Sequence, residues 1–178
     1  MLLKIRHYVK ENTLHSIYFA IFSSLMTYGS IIWGQAQNTN TNRISILQNK
    51  ALRTITFSSP RDTCNPIYFN SKNLKFNDNI KLQNFLYVHD SLQGILPKAL
   101  NDNFEPSELI HNYTTRFSSQ YQIPLFKVNT ESYGKNSIKY KAISFWNTIV
   151  NKFTDIKLQN QKRNFCKKLV TKYLIDCY

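Results

Sequence analysis

The sequence predicts a mainly α-helical protein interrupted by one extended stretch. Apolar residues recur at helical spacing through most of the chain. Glycine is scarce, 4 in 178 residues, which argues against a turn-rich β-sandwich and against a glycine-rich phosphate loop. Hydrophobic residues make up 42% and aromatic residues 14%, enough for a core and unlike a disordered chain. The length suits one compact domain or two small lobes.

Residues 1–10 read as a short basic, amphipathic helix in which Leu2, Leu3, Ile5 and Val9 alternate with Lys4, Arg6 and Lys10. Asn12 or Thr13 offers an N-cap for a second helix running to about Tyr28. Leu14, Ile17, Tyr18, Ile21, Phe22 and Leu25 keep the i, i+3, i+4, i+7 spacing, and Phe19 and Met26 widen the apolar surface, so this helix is expected to be central. Gly29 and Gly34 bracket a stretch where it loosens or stops. Gln35–Asn42 reads as a polar linker. A helix from about Arg43 to Phe57 follows, with Ile44, Leu47, Ala51 and Ile55 on one stripe and Arg43, Lys50 and Arg53 off it; Ser58-Ser59-Pro60 ends it.

Pro66 can open a short helical turn through Ile67, Tyr68 and Phe69. Asn77 or Asp78 caps an amphipathic helix to Gln93, with Leu82, Phe85, Leu86, His89 and Leu92 on its face and Gly94 suited to the position after the C-cap. His89 reads as a hydrogen-bonded core histidine, since no second ligand shares its spacing. Residues 107–134 lack a helical period; Arg116–Val128 partly alternates and predicts a short β hairpin or extended edge. Ser137–Val150 and Leu158–Tyr173 are the two C-terminal helices. In the last one, Phe165, Cys166, Leu169 and Tyr173 are expected on one side and Lys167, Lys168 and Lys172 on the other. These elements divide the chain at 1–57, 58–106, 107–134 and 135–178, with no internal repeat.

The formal net charge of +13 favours polyanionic partners, nucleic acid before anionic membrane, through counterion release. A solvated basic surface without a specific partner is the alternative. The run Leu14–Trp33 carries no formal charge and follows Lys4, Arg6 and Lys10, as a signal anchor would. His15, Ser16, Ser23, Ser24, Thr27 and Ser30 dilute it, so a core helix is the better reading and a membrane span the lesser. Cys64, Cys166 and Cys177 are far apart and odd in number, and signal neither a zinc site nor a disulfide framework. A reducing, intracellular compartment, nucleus or cytoplasm, fits them. Asn112-Tyr113-Thr114 matches a glycosylation sequon, which reads as chance without a secretory signal.

Local patterns along nearly the whole chain resemble the region that follows the polymerase domain in LINE-type, jockey-like non-LTR retrotransposon reverse transcriptases. Tyr18 through Tyr28-Gly29 to Trp33-Gly34 is similar to that family's "Y…YG…WG" helix, and Leu47–Ile55 (LQNKALRTI) to its "LQNKALR-I" segment. Pro66–Phe69, Leu74–Phe76 and Gly94–Pro97 are similar to the next block, and His111–Arg116 (HNYTTR) to its "HnYtTR" signature. Tyr133-Gly134, Ile138, Tyr140 and Trp146-Asn147 resemble "YG…S-I-Y…WN", and Phe165–Leu169 the terminal "FKK-L" helix. The resemblance implies a helical, thumb-like bundle and a C-terminal extension, which hold duplex backbone rather than do chemistry.

The departures from a polymerase bear equally on function. Phosphoryl transfer by two metal ions needs paired carboxylates. In that family they include the adjacent aspartates of an [FY]-A-D-D motif; here no Asp-Asp pair occurs, and Asp62, Asp78, Asp90, Asp102, Asp155 and Asp176 are dispersed. A Cys/His knuckle, present in some relatives, is also missing. The expectation is therefore a fragment without catalytic residues, metal or cofactor, and without a small-molecule substrate. No GxSxG occurs, and the four histidines, His7, His15, His89 and His111, are scattered. Candidate nucleic-acid contacts are Lys50 and Arg53, three apart on one helix; Lys167, Lys168 and Lys172 on another; and His111 with Arg116, beside Tyr113 as a stacking ring. For each, solvation or local pairing is the competing reading. Trp33 and Trp146 read as core before stacking platform. The rival functional class is a structural or interaction module whose exposed apolar faces drive self-association.

Overall fold

The computed structural model describes residues 2–36, 38–101, 103–105, 122–130 and 134–178. The protein is mainly helical, with no strand among the described residues. It divides into two compact units: unit 1, up to Ile80 together with Lys172–Tyr178, and unit 2, Lys81–Thr171.

In unit 1, α1 (Leu2–Ile5) and α2 (Glu11–Ile17) both pack on α5 (Asn38–Ile55). A π-helical stretch, Tyr18–Ser23, continues α2 into α3 (Ser24–Thr27). The wide π turn takes up an extra residue and resets the phase of the helix. As a result Leu14, Tyr18 and Met26 are buried, whereas Ile21 and Leu25, expected on the inner stripe, are exposed. This helix is therefore buried along one side only, whereas α7 (Phe76–Leu92) is buried around most of its circumference. At Gly29, φ is +62°, a left-handed conformation open to glycine, and the chain breaks there before α4 (Ser30–Trp33).

Gln35–Asn42 is not a linker throughout: α5 already begins at Asn38. Burial of Thr41 on the inner side outweighs the modest helix propensity of an Asn/Thr run. The inner line of α5 is Thr41, Gln48, Leu52 and Ile55, with Leu47 left outside. Gln48 explains the rotation. Its Nε2 donates to Tyr18 Oη at 3.1 Å and to the Leu74 carbonyl at 2.9 Å, and its Oε1 accepts the Phe76 N–H at 2.8 Å. The Phe76 N–H is one of the donors left over at the start of α7, so a side chain of α5 caps it; the expected local caps Asn77 and Asp78 fall inside the helix. Next to it, the Lys75 N–H donates to Tyr178 Oη at 2.8 Å. Around this hub, Leu14, Tyr18, Leu52, Ile55, Cys64, Ile67 and Tyr68 form one apolar cluster and Met26, Phe76 and Ile80 a second. Helix α6 (Asn65–Ser71) opens with Pro66 in its first turn, as expected.

In unit 2, α7 ends in a Schellman motif: Gly94, at φ +67°, donates to the Ser91 carbonyl and Ile95 to that of Asp90. A short α8 (Lys98–Asn101) follows. Helix α9 (Ile138–Lys152) is N-capped by Ser137, whose hydroxyl accepts the Tyr140 N–H at 3.2 Å. Ala142, Ile143, Trp146, Ile149 and Val150 are buried, and Trp146 stacks on Phe85 with ring centroids 4.9 Å apart. His89 is a core histidine: it is 1% exposed, and its Nε2 donates to the Gln161 carbonyl at 3.0 Å.

The expected hairpin is not formed in the described part of its span. Residues 122–130 carry no regular secondary structure and pair with no strand among the described residues. Asn147 supplies the missing partner: its Oδ1 accepts the Ile123 N–H at 3.1 Å and its Nδ2 donates to the Ile123 carbonyl at 2.8 Å, which satisfies a buried backbone as a neighbouring strand would. The final helix is also split. Leu158–Asn160 is a single 3-10 turn, and α10 spans Arg163–Ile175.

Candidate nucleic-acid interface

Helix α10 owes its two faces to a buried line four residues apart, Cys166, Val170 and Leu174, with exposures of 0%, 0% and 4%. Burial pushes the Cys166 thiol up to about 11, so it stays protonated, and its Sγ–H donates to the Leu158 carbonyl at 3.4 Å. Leu169 and Tyr173 are half-buried. Lys167, Lys168 and Lys172 are all exposed, as expected. Phe165 is not where the periodicity puts it. It stands 45% exposed, outside the buried line and beside the lysines.

Lys50 and Arg53 lie one turn apart on α5. Lys50 is exposed. Arg53 braces the backbone: its Nε and Nη2 donate to the Asp62 carbonyl at 3.1 and 2.8 Å, while Asp62 Oδ2 accepts the Ser59 N–H at 2.7 Å. That network holds the turn after α5 and occupies two of the five guanidinium donors. His111 and Arg116, with Tyr113, lie outside the described residues. The seven candidates thus fall into a pair on α5, a trio on α10 and a pair without a described position.

The chain matches no protein-family model, no curated protein and no solved structure.

The wider basic surface extends well beyond the candidates. Residues 134–172 contain ten Lys or Arg (Lys135, Lys139, Lys141, Lys152, Lys157, Lys162, Arg163, Lys167, Lys168, Lys172) against one acidic residue, Asp155. All but Lys141 are exposed; burial lowers the pKa of that one. Arg163 is engaged: its Nε lies 3.0 Å from both carboxylate oxygens of Asp90. A count of charge along the sequence would have found this stretch, whereas the outward Phe165 carries no sequence signal, because an aromatic residue beside an apolar stripe normally belongs to it.

Unit 1 carries a different surface. Phe19, Ile21, Leu25, Tyr28 and Ile32 are 49%, 49%, 68%, 84% and 75% exposed, and no charged residue occurs from Asn12 to Asn42. Among the described residues no helix is long and apolar enough to cross a membrane. Trp33 is half-buried, stacks on Phe76 at 5.5 Å and donates Nε1–H to the Tyr28 carbonyl at 2.8 Å; Trp146 is fully buried. Trp146 therefore offers no free face to a base, and Trp33 has one face taken by Phe76.

Proposed function

We propose that this chain is a noncatalytic, nucleic-acid-contacting segment equivalent to the thumb and C-terminal extension of a non-LTR retrotransposon reverse transcriptase, acting on the sugar–phosphate backbone without regard to sequence. The observation that carries the reading is the exposed lysine face of α10, Lys167, Lys168 and Lys172, within a stretch that holds a single acidic residue. Lysine is a flexible point charge suited to phosphate oxygens that differ little from one nucleotide to the next. The absence of an Asp-Asp pair from the sequence supports a holding role over phosphoryl transfer. Lys50 belongs to the same activity, and Arg53 contributes mainly by shaping the turn beside it.

Fluorescence anisotropy with a labelled oligonucleotide over a salt series tests this. A face neutralising about five phosphates gives a slope of log affinity on log salt of roughly −4 to −5. A flat dependence refutes the reading.

A second reading, an interaction module, is favoured by the uncharged apolar stripe Phe19, Ile21, Leu25, Tyr28 and Ile32. Such a stripe is covered by a partner or by a second copy in most soluble proteins. Oligomers that persist at high salt on size exclusion, together with no oligonucleotide binding, would favour this second reading over the first.

A further inference from the structure

We infer that the outer face of α10 takes unpaired, single-stranded nucleic acid, with Phe165 stacking on a base and Lys162 and Lys168 on the flanking phosphates. The inference rests on the proposed nucleic-acid role and names the form of ligand within it.

The inward face of α10 is already complete with Cys166, Val170 and Leu174, so Phe165 is not needed for packing there. A phenylalanine almost half exposed loses the benefit of burial, and its ring is available to a flat apolar partner. Its surroundings select that partner by charge. Lys168 lies three residues on, on the adjoining surface of the helix. Lys162 immediately precedes the helix, and its carbonyl accepts the N–H groups of Phe165 and Cys166 at 2.9 and 3.2 Å, which fixes the first turn on which the ring stands. Both lysines are exposed. No acidic residue occurs between Asp155 and Asp176. Asp90 of α7 reaches this turn and is engaged with Arg163. An aromatic ring flanked by cations is the arrangement that holds single strands: the ring stacks on any base, and the cations follow the backbone. A duplex keeps its base faces inside its own stack and gives such a ring nothing to cover, so duplex binding draws on the lysines alone.

The test uses the full chain and two labelled probes at one salt concentration, a single-stranded oligothymidylate and a DNA duplex of equal length. The wild-type protein binds the single strand more tightly. Phe165→Ala weakens single-strand binding about fivefold to tenfold, the lower part of the range for loss of one base stack, and changes duplex binding by less than about twofold. Phe165→Trp restores the preference. Lys168→Ala weakens both probes. Equal loss on both probes with Phe165→Ala, or no loss on either, overturns the inference while the nucleic-acid role stands. Failure of the wild-type chain to bind either probe overturns both.

Discussion

The interiors of the two units are specified by different chemistry. Unit 1 is tied by buried and half-buried polar groups: Gln48 bonds Tyr18, Leu74 and Phe76, Tyr68 Oη donates to Asn49 Oδ1 at 2.8 Å, and Tyr178 Oη accepts the Lys75 N–H. Unit 2 is centred on the Phe85–Trp146 stack, with Ala142, Ile143, Ile149 and Val150 around it. Its polar devices, the Asn147 clamp on Ile123 and the His89 bond to Gln161, hold irregular segments rather than a helix start. Hydrogen bonds are directional and costly to leave half-made, whereas apolar packing is forgiving in direction and sensitive to volume. The units should therefore fail in different ways.

The largest effect expected is in unit 2. Trp146→Ala empties a fully buried indole site and costs about 3–5 kcal/mol, read from urea unfolding. In unit 1, Gln48→Leu keeps side-chain bulk but leaves the Phe76 N–H, the Leu74 carbonyl and Tyr18 Oη without this partner; the expected cost is about 2–4 kcal/mol. A Gln48→Leu protein as stable as wild type would mean that the polar hub is incidental and that the two interiors do not differ in kind.

Alkaline pH sharpens the same comparison. Burial raises the pKa of Tyr18, Tyr68 and Tyr178, all in unit 1; in unit 2 it pushes the Cys166 thiol up to about 11. Each is held neutral in the folded protein more firmly than in the unfolded chain. The associated stability is complete below the unfolded pKa and is lost as pH rises towards the folded one. For Cys166 that window is between about pH 9 and 11; for the phenols it opens near about pH 10. Urea unfolding across this range should show stability falling with pH. Cys166→Ala should flatten the earlier part of the fall and Tyr178→Phe the later part. The smallest effect is local. Lys72 follows α6 in a left-handed conformation, φ 52°, and is exposed. Lys72→Gly relieves that strain and should raise the midpoint slightly, by about 0.5–1 kcal/mol of stability.

What was legible in the sequence was local. Pro66 and Gly94 mark helix ends through their own backbone chemistry, and the structure places both as expected. The exposure of Lys50, Lys167, Lys168 and Lys172 was equally plain, because each falls off an apolar stripe. The phase of the helices was less so. In α5 a buried glutamine, which reads as a surface residue, displaces Leu47 from the interior; in α10 Val170 and Leu174 complete a line that excludes Phe165. A π turn at Tyr18–Ser23 and the strand-like service of Asn147 are consequences of packing and leave no periodic trace. Apolar periodicity finds a helix but leaves its rotation ambiguous by about one residue, about 100°. That ambiguity decided whether an aromatic ring was core or surface.

The most direct test of the nucleic-acid role is the salt dependence of binding when the α10 lysines are removed together. Lys167→Ala, Lys168→Ala and Lys172→Ala in one protein should make the slope of log affinity on log salt shallower by about two to three, with helix content unchanged. Affinity and slope equal to those of the wild-type chain would contradict the account.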